Sequence, residues 1–194
     1  MSTLRITAGT LKGRRVPVPK DDVRPTSERA RQAFFNIAAA RIEGARFLDL
    51  FAGSGIFSFE ALSRGAVLSV AVDSAGQQLA TIERLALEWR VPLRTVRAEL
   101  PRDIRRVSDN EFDVVYADPP YAFGAYDALL NAIGTDLRLP DDALVAIEHR
   151  RRVEPFTAEP QRLRFVRRAE YGEVWISLFE PRRPGRESGT TQDE

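Results

Sequence analysis

From residue 45 onward the chain alternates short apolar runs with longer amphipathic ones. Strands are predicted near 47–51, 67–72, 93–97, 112–117 and 143–148, with helices near 55–64, 75–90, 101–107 and 124–134 between them. Strand and helix in repeated alternation predict a mostly parallel sheet covered on both faces, an α/β domain. After the fifth strand, RLRFVRRAEY and EVWISLFEP flank Gly172 and predict an antiparallel hairpin at one sheet edge. Before residue 45 the pattern differs. Residues 4–8 and 14–18 predict two short strands joined through Gly9 and Gly13, a β-hairpin extension covering 1–22. RPTSERARQAFFNIAAARI then sets Ala30, Ala33, Phe34, Ile37 and Ala38 at helical spacing, with Thr26 or Ser27 as N-cap and Glu28 in the first turn. This helix opens the main domain, 23–182. The remainder, 183–194, has no apolar side chain and is expected to be disordered.

Composition narrows the chemistry. With 194 residues and 43% hydrophobic content, one domain with a real core is expected. The chain has no cysteine, which excludes disulfides and thiolate metal sites, and its one histidine, His149, removes most remaining ways to bind zinc or build a Ser-His or Cys-His nucleophile; no metal site is expected. No run approaches the roughly 20 apolar residues of a membrane span, and MSTLRITAGTLKGRR has no apolar signal region, so a cytoplasmic protein is expected. A net charge of +1 conceals an uneven distribution: residues 1–46 hold ten basic side chains against four acidic, and 47–149 nine against sixteen.

FLDLFAGSGIFSFEA reads as a strand, a glycine turn and a helix. Such a turn lets backbone approach a ligand closely, and the helix that follows presents free N–H groups. Asp49, Phe51, Ala52, Gly53, Ser54 and Gly55 are the candidate cofactor residues. The dinucleotide fingerprint expects Gly or Ala at position 58, where Ser58 stands, and Asp49 would repel a pyrophosphate. A cationic cofactor such as S-adenosylmethionine, with its sulfonium and ammonium groups, suits that carboxylate. Asp73 ends the second strand twenty residues after Gly53, where an acid would bond two ribose hydroxyls. Glu99, after the third strand, is the candidate for the adenine amino group. The alternatives are a turn that only connects, Asp73 as a helix cap, and Glu99 as a solvated loop acid.

The fourth strand closes on YADPPY. In an open parallel sheet ligands bind beyond the carboxyl ends of the strands, so Asp118, Pro119, Pro120 and Tyr121 should share a pocket with the glycine turn if these two strands are neighbours. Pro-Pro alone would mean only a rigid turn. An acid and an aromatic around it make the motif far more specific.

DLFAGSG together with DPPY resembles the S-adenosylmethionine-dependent methyltransferases that act on exocyclic amines. More narrowly, RITAGTLKGRRVPVP, RPTSERARQAFFNI, FLDLFAGSGIFSFEALSRGA, YADPPY and YGEVWISLFEP, spanning roughly residues 3 to 181, are similar to the RsmD family of 16S rRNA guanine-N2 methyltransferases. The resemblance implies a Rossmann-like class I methyltransferase fold and methylation of one guanine in the assembling small ribosomal subunit; a monomer is the default for a chain that must dock on so large a particle. The resemblance further implies that Arg24 and Thr26 close over the methionine end of the cofactor, that Asp73 holds its ribose, and that the DPPY residues hold the target base. Ser58 and Glu99 depart from the family, which usually has Gly and Asp there.

The chemistry follows from the amine. The guanine N2 lone pair is delocalised into the ring, so acceptors must draw the amino hydrogens away and aim the nitrogen at the methyl carbon; the Asp118 carboxylate and Pro119 carbonyl are suited to this. Tyr121 would stack on a base taken out of its RNA. Arg5, Lys12, Arg14, Arg15, Lys20 and Arg24 are candidates for RNA phosphates, extended along the rim by 149–152, the alternative being a solvated strand face. A DNA adenine-N6 methyltransferase shares the DPPY motif, and a non-catalytic RNA-binding protein could share the fold.

Overall fold

β3 (Arg46–Leu50) is the third strand of a seven-stranded sheet. The chain first builds outward on one side through α3 (Ile56–Ser63), β4 (Leu68–Asp73), α4 (Gly76–Trp89) and β5 (Leu93–Arg97). It then crosses back to β6 (Val114–Ala117), α5 (Tyr126–Asp136), β7 (Leu144–Arg150) and the hairpin of β8 (Leu163–Tyr171) and β9 (Val174–Pro181). The strand order is β5-β4-β3-β6-β7-β9-β8, parallel from β5 to β7, with β9 antiparallel to both β7 and β8. The reversal of direction between β3 and β6 is a topological switch point, where such sheets bind ligands. This computed structural model describes residues 2–18, 25–120, 122–151, 156–157 and 160–182. Lys20, Arg24, Tyr121, the Thr26 side chain and the 183–194 tail lie outside the described residues. No helix among the described residues is long and apolar enough to cross a membrane.

The two sheet faces bury alternate side chains. Leu48, Leu50, Val115, Ala117, Val145 and Ile147 pack against Leu129, Leu130 and Ile133 of α5. On the other face Phe47, Val114, Tyr116 and Ala146 pack against Phe34 and Phe35 of α1 (Pro25–Ile37), Ala38 just after it, and Ala61 and Leu62 of α3. A short α2 (Ala39–Ile42) leads from α1 toward β3. α3 is buried on all sides, because β1 (Ser2–Arg5), β2 (Arg15–Val18) and the loop between them cover its outer surface through Ile6, Leu11 and Val16.

Three local expectations are corrected. The 101–107 segment is no α-helix; only Ile104–Val107 forms a 3₁₀ turn, whose two buried side chains at i and i+3 match that tighter period. α1 begins at Pro25, so Thr26 and Ser27 fall within its first turn rather than at the cap, in keeping with the fixed φ of proline at the first helical position. The hairpin strands are 2–5 and 15–18 rather than 4–8 and 14–18, because the Thr7 N–H leaves the ladder to bond Glu60 at 3.0 Å and the Thr10 N–H bonds the Ser63 carbonyl at 2.8 Å. The first hairpin is therefore docked along α3.

Candidate active site

Register brings the two sequence motifs together. β3 and β6 pair with Leu50 opposite Ala117, and the Asp118 N–H extends the ladder to the Leu50 carbonyl at 3.3 Å. Phe51 and Asp118 thus leave adjacent strands side by side. The chain then turns sharply, with φ of 63° at Phe51, 54° at Gly53 and 76° at Gly55. Left-handed backbone is natural for glycine and strained for phenylalanine, and such strain concentrates at functional sites. The Phe51 ring meets Phe123 edge-on at 5.2 Å, which fixes its direction.

The two glycines do different work. A Cβ on Gly55 would lie 2.8 Å from Ile82 of α4, whereas one on Gly53 would meet nothing nearer than 4.0 Å. Gly55 lets α3 and α4 pack closely; Gly53 presents bare backbone to open space. Gly55→Ala is expected to lose about 2 to 4 kcal/mol of stability, from the left-handed φ plus overpacking, and Gly53→Ala about 1 to 2 from φ alone. Urea denaturation checks both. Gly53→Ala should lose cofactor affinity beyond its stability loss, read by calorimetry on the folded variant.

Carboxylates surround this turn. Asp49 is buried in β3 and accepts the Ser58 N–H at 3.0 Å and the Ser58 hydroxyl at 2.7 Å. It caps α3 from the preceding strand, since Gly55 at the N-cap has no side chain to do so. Burial raises the Asp49 pKa to about 7 against the opposing Ser58 bonds, and the charges of Asp118 and Asp73 push it the same way. Asp73 accepts the Gly53 N–H at 2.9 Å and the Ala75 N–H at 2.8 Å, so it ties the turn to the start of α4. Burial, then the charges of Glu148 and Asp118, raise Tyr116 well above its ordinary pKa, and burial followed by Asp118 and Glu148 raises Tyr126. Glu99 stands exposed beyond β5, paired with Arg102 at 3.2 Å.

A family profile described as "Conserved hypothetical protein 95" matches residues 4–180. Ribosomal RNA small subunit methyltransferase D of Escherichia coli (strain K12) is 35% identical over 149 residues, 75% of this chain and 74% of that protein. The chain belongs to the RsmD family. Another relative, YlbH of Bacillus subtilis (strain 168), is 31% identical over 185 residues, 92% of this RsmD-family chain and the whole of the relative (100%). The solved Escherichia coli protein yhhF superposes with a TM-score of 0.79 at 28% identity, over 93% of this chain and 98% of that one. The fold is the Rossmann-like one of S-adenosylmethionine-dependent methyltransferases.

In this RsmD-family chain Arg5, Lys12, Arg14 and Arg15 are exposed, with Arg5 opposite Arg15 in the hairpin register. Arg14 lies over the Trp89 ring at 5.1 Å, which turns it toward α4. Of the 149–152 run, Arg150 and Arg151 are exposed, but His149 is buried against Ser177 at 2.9 Å and adds nothing to a positive rim. Its ring packs inward because the β7 run is apolar on both faces.

Sequence inspection passed over two acids. Glu148 is buried at the end of β7 and accepts the Tyr116 hydroxyl, while Glu60 is buried in α3 beneath the hairpin. The signal for Glu148 is the one Asp49 and Asp118 gave: a carboxylate near the carboxyl end of an otherwise apolar strand.

The high pKa of Asp49 has a measurable consequence. In the unfolded chain this carboxyl ionises near its ordinary 3.8, in the fold near 7, so its contribution to stability is full below about 4 and is lost as pH rises toward 7. A nearby cation reverses that preference. Cofactor binding at pH 7 is expected to release protons and to tighten as pH rises through 7. Calorimetry in buffers of different ionisation enthalpy reads the release, and Asp49→Asn should abolish it.

Proposed function

We propose that the protein transfers the methyl group of S-adenosylmethionine to the exocyclic N2 amine of one guanine in 16S rRNA of the small ribosomal subunit. The observation that carries this is the placement of Asp118 and Pro119 at the end of β6, in register with the glycine turn at the end of β3. The residues fit such a cofactor. Gly53 leaves open backbone beside Asp73, and Asp49 is a buried carboxyl that a cation would ionise. When bound, the cofactor supplies an already activated sulfonium methyl.

This chain's own residues do the rest. Asp73 holds the ribose through lone pairs left over from Gly53 and Ala75, and Arg24 and Thr26 close over the methionine end. The Asp118 carboxylate and Pro119 carbonyl accept the two amino hydrogens, drawing the nitrogen lone pair out of conjugation and toward the methyl carbon. The prolines fix the carbonyl direction and have no N–H of their own to satisfy. Holding the reacting atoms in line contributes much of the rate. Tyr121 stacks on the displaced base, a role assigned by the motif alone. Arg5, Lys12, Arg14 and Arg15 contact phosphates and position the RNA without reading its sequence. The name of the Escherichia coli relative supports an RNA of the small subunit as substrate.

Radiolabelled methyl transfer to small-subunit RNA or particles, followed by nucleoside analysis, is expected to yield N2-methylguanosine. Label appearing instead as N6-methyladenine in duplex DNA would replace this function with the alternative.

A further inference from the structure

The DPPY motif alone does not distinguish guanine N2 from adenine N6, since both are exocyclic amines. A second carboxylate beside it does. β6 and β7 are parallel neighbours with Tyr116 opposite Ala146 and Ala117 opposite Ile147. Extending that register by one residue past Ala117 and Ile147 places Asp118 opposite Glu148, on strands spaced about 4.8 Å apart. Leu144 and Ala146 face the α1 side of the sheet, as do Val114 and Tyr116, so Glu148 and Asp118 follow on that same side. The Tyr116 hydroxyl donates to Glu148 Oε2 from a fully buried position, which fixes the direction of the carboxylate. Glu148 is 8% exposed, whereas Asp118 is open to solvent. The Tyr116 ring is held in turn by Phe57, stacked at 4.0 Å and 14°. Burial first, and then the charges of both acids, raise the pKa of Tyr116 and Tyr126.

Two carboxylates side by side, one exposed and one recessed, suit one nucleobase edge. Guanine presents N1–H and the N2 amine as adjacent donors. Adenine and cytosine present a ring nitrogen lone pair next to their amine, which would meet the recessed carboxylate with repulsion. We propose that Glu148 is a specificity-determining residue that accepts the guanine N1–H while Asp118 accepts an N2 hydrogen. This rests on the guanine-N2 function above and deepens it. No covalent step is added.

The experiment compares two RNA substrates that differ at the target nucleotide, guanine or 2-aminopurine. 2-Aminopurine keeps the 2-amino group but has a lone pair at N1 in place of N1–H. The wild-type protein is expected to favour guanine in kcat/KM by at least about 10-fold, the usual size of a lost hydrogen bond to a charged group. In Glu148→Gln the amide can donate to the 2-aminopurine N1, so the preference should collapse toward parity, with cofactor binding retained by calorimetry. Tyr116→Phe, which frees the carboxylate, should soften the preference without inverting it. Equal use of both substrates by the wild type overturns the proposal, and that measurement does not depend on any variant folding. So does a Glu148→Gln protein that loses both substrates equally, the mark of a merely structural role. If guanine RNA gains no N2-methyl at all while the cofactor binds, the guanine-N2 function itself falls, and this proposal with it.

Discussion

Asp118→Ala is expected to bind S-adenosylmethionine and to transfer almost no methyl. Losing a positioned acceptor, preorganised at the strand end, lowers turnover by about 10²- to 10⁴-fold. Single-turnover transfer from the preformed protein–cofactor complex isolates that effect from binding. The fold should tolerate the change, because the Asp118 side chain is exposed and the variant keeps the backbone N–H that extends the β3–β6 ladder. Cofactor affinity near pH 7 should rise slightly. Burial is the main reason that Asp49 stays at about 7, but the Asp118 charge adds to it, and without that charge Asp49 ionises more readily beside a cation. Asp118→Asn retains an acceptor oxygen without the charge and should fall between the two. Turnover in Asp118→Ala within an order of magnitude of the parent would remove Asp118 from the acceptor role.

The middle of the sheet was legible in the sequence because β3, β4, β6 and β7 are short apolar runs buried on both faces. β4 and β5 end as expected because Asp73 and Arg97 interrupt those runs. The glycine turn and DPPY were legible for the same reason: each interrupts an apolar run with residues that a buried strand cannot use. What escaped detection depends on partners distant in sequence. The hairpin strands end early because the Thr7 N–H bonds Glu60, 53 residues away. The 101–107 segment carries Ile104 and Val107 at a spacing that a helix and a 3₁₀ turn share, and only packing separates them. Glu148 reads as the polar end of β7 until the β6–β7 register, with Ala117 opposite Ile147, is known.

Glu60 gives the largest expected stability effect. α3 reads IFSFEALS, a helix with no polar side, so an acid in its middle must be paired internally. Glu60 is fully buried and receives the Thr7 N–H and hydroxyl, Arg64 Nε at 3.0 Å and Nη2 at 2.8 Å, with Arg31 Nε at 3.7 Å. Arg31 is only 1% exposed, donates to the Arg5 carbonyl at 2.9 Å, and has its pKa lowered by burial despite the Glu60 charge. One carboxylate thus joins the hairpin, α1 and α3, the last being the helix whose N-terminus follows the glycine turn.

Glu60→Ala removes the acceptor for Thr7 and strands the buried Arg31 guanidinium. A loss of about 3 to 5 kcal/mol is expected in urea denaturation, because an unpaired buried charge is penalised more than its pair was worth. Arg31→Met should lose less, since Arg64 and Thr7 still satisfy Glu60 and the one hydrogen bond forfeited among the described residues is that from Arg31 to the Arg5 carbonyl. Combining Arg31→Met with Glu60→Leu should recover part of the Glu60→Ala loss, as apolar replacement of a buried pair does elsewhere. The hairpin carries Arg5, Lys12, Arg14 and Arg15, so a Glu60 variant that remains folded should lose affinity for RNA more than for the cofactor. A stability loss below about 1 kcal/mol, the worth of an exposed ion pair, would show that water reaches Glu60 and that the hairpin is held by its apolar side chains alone.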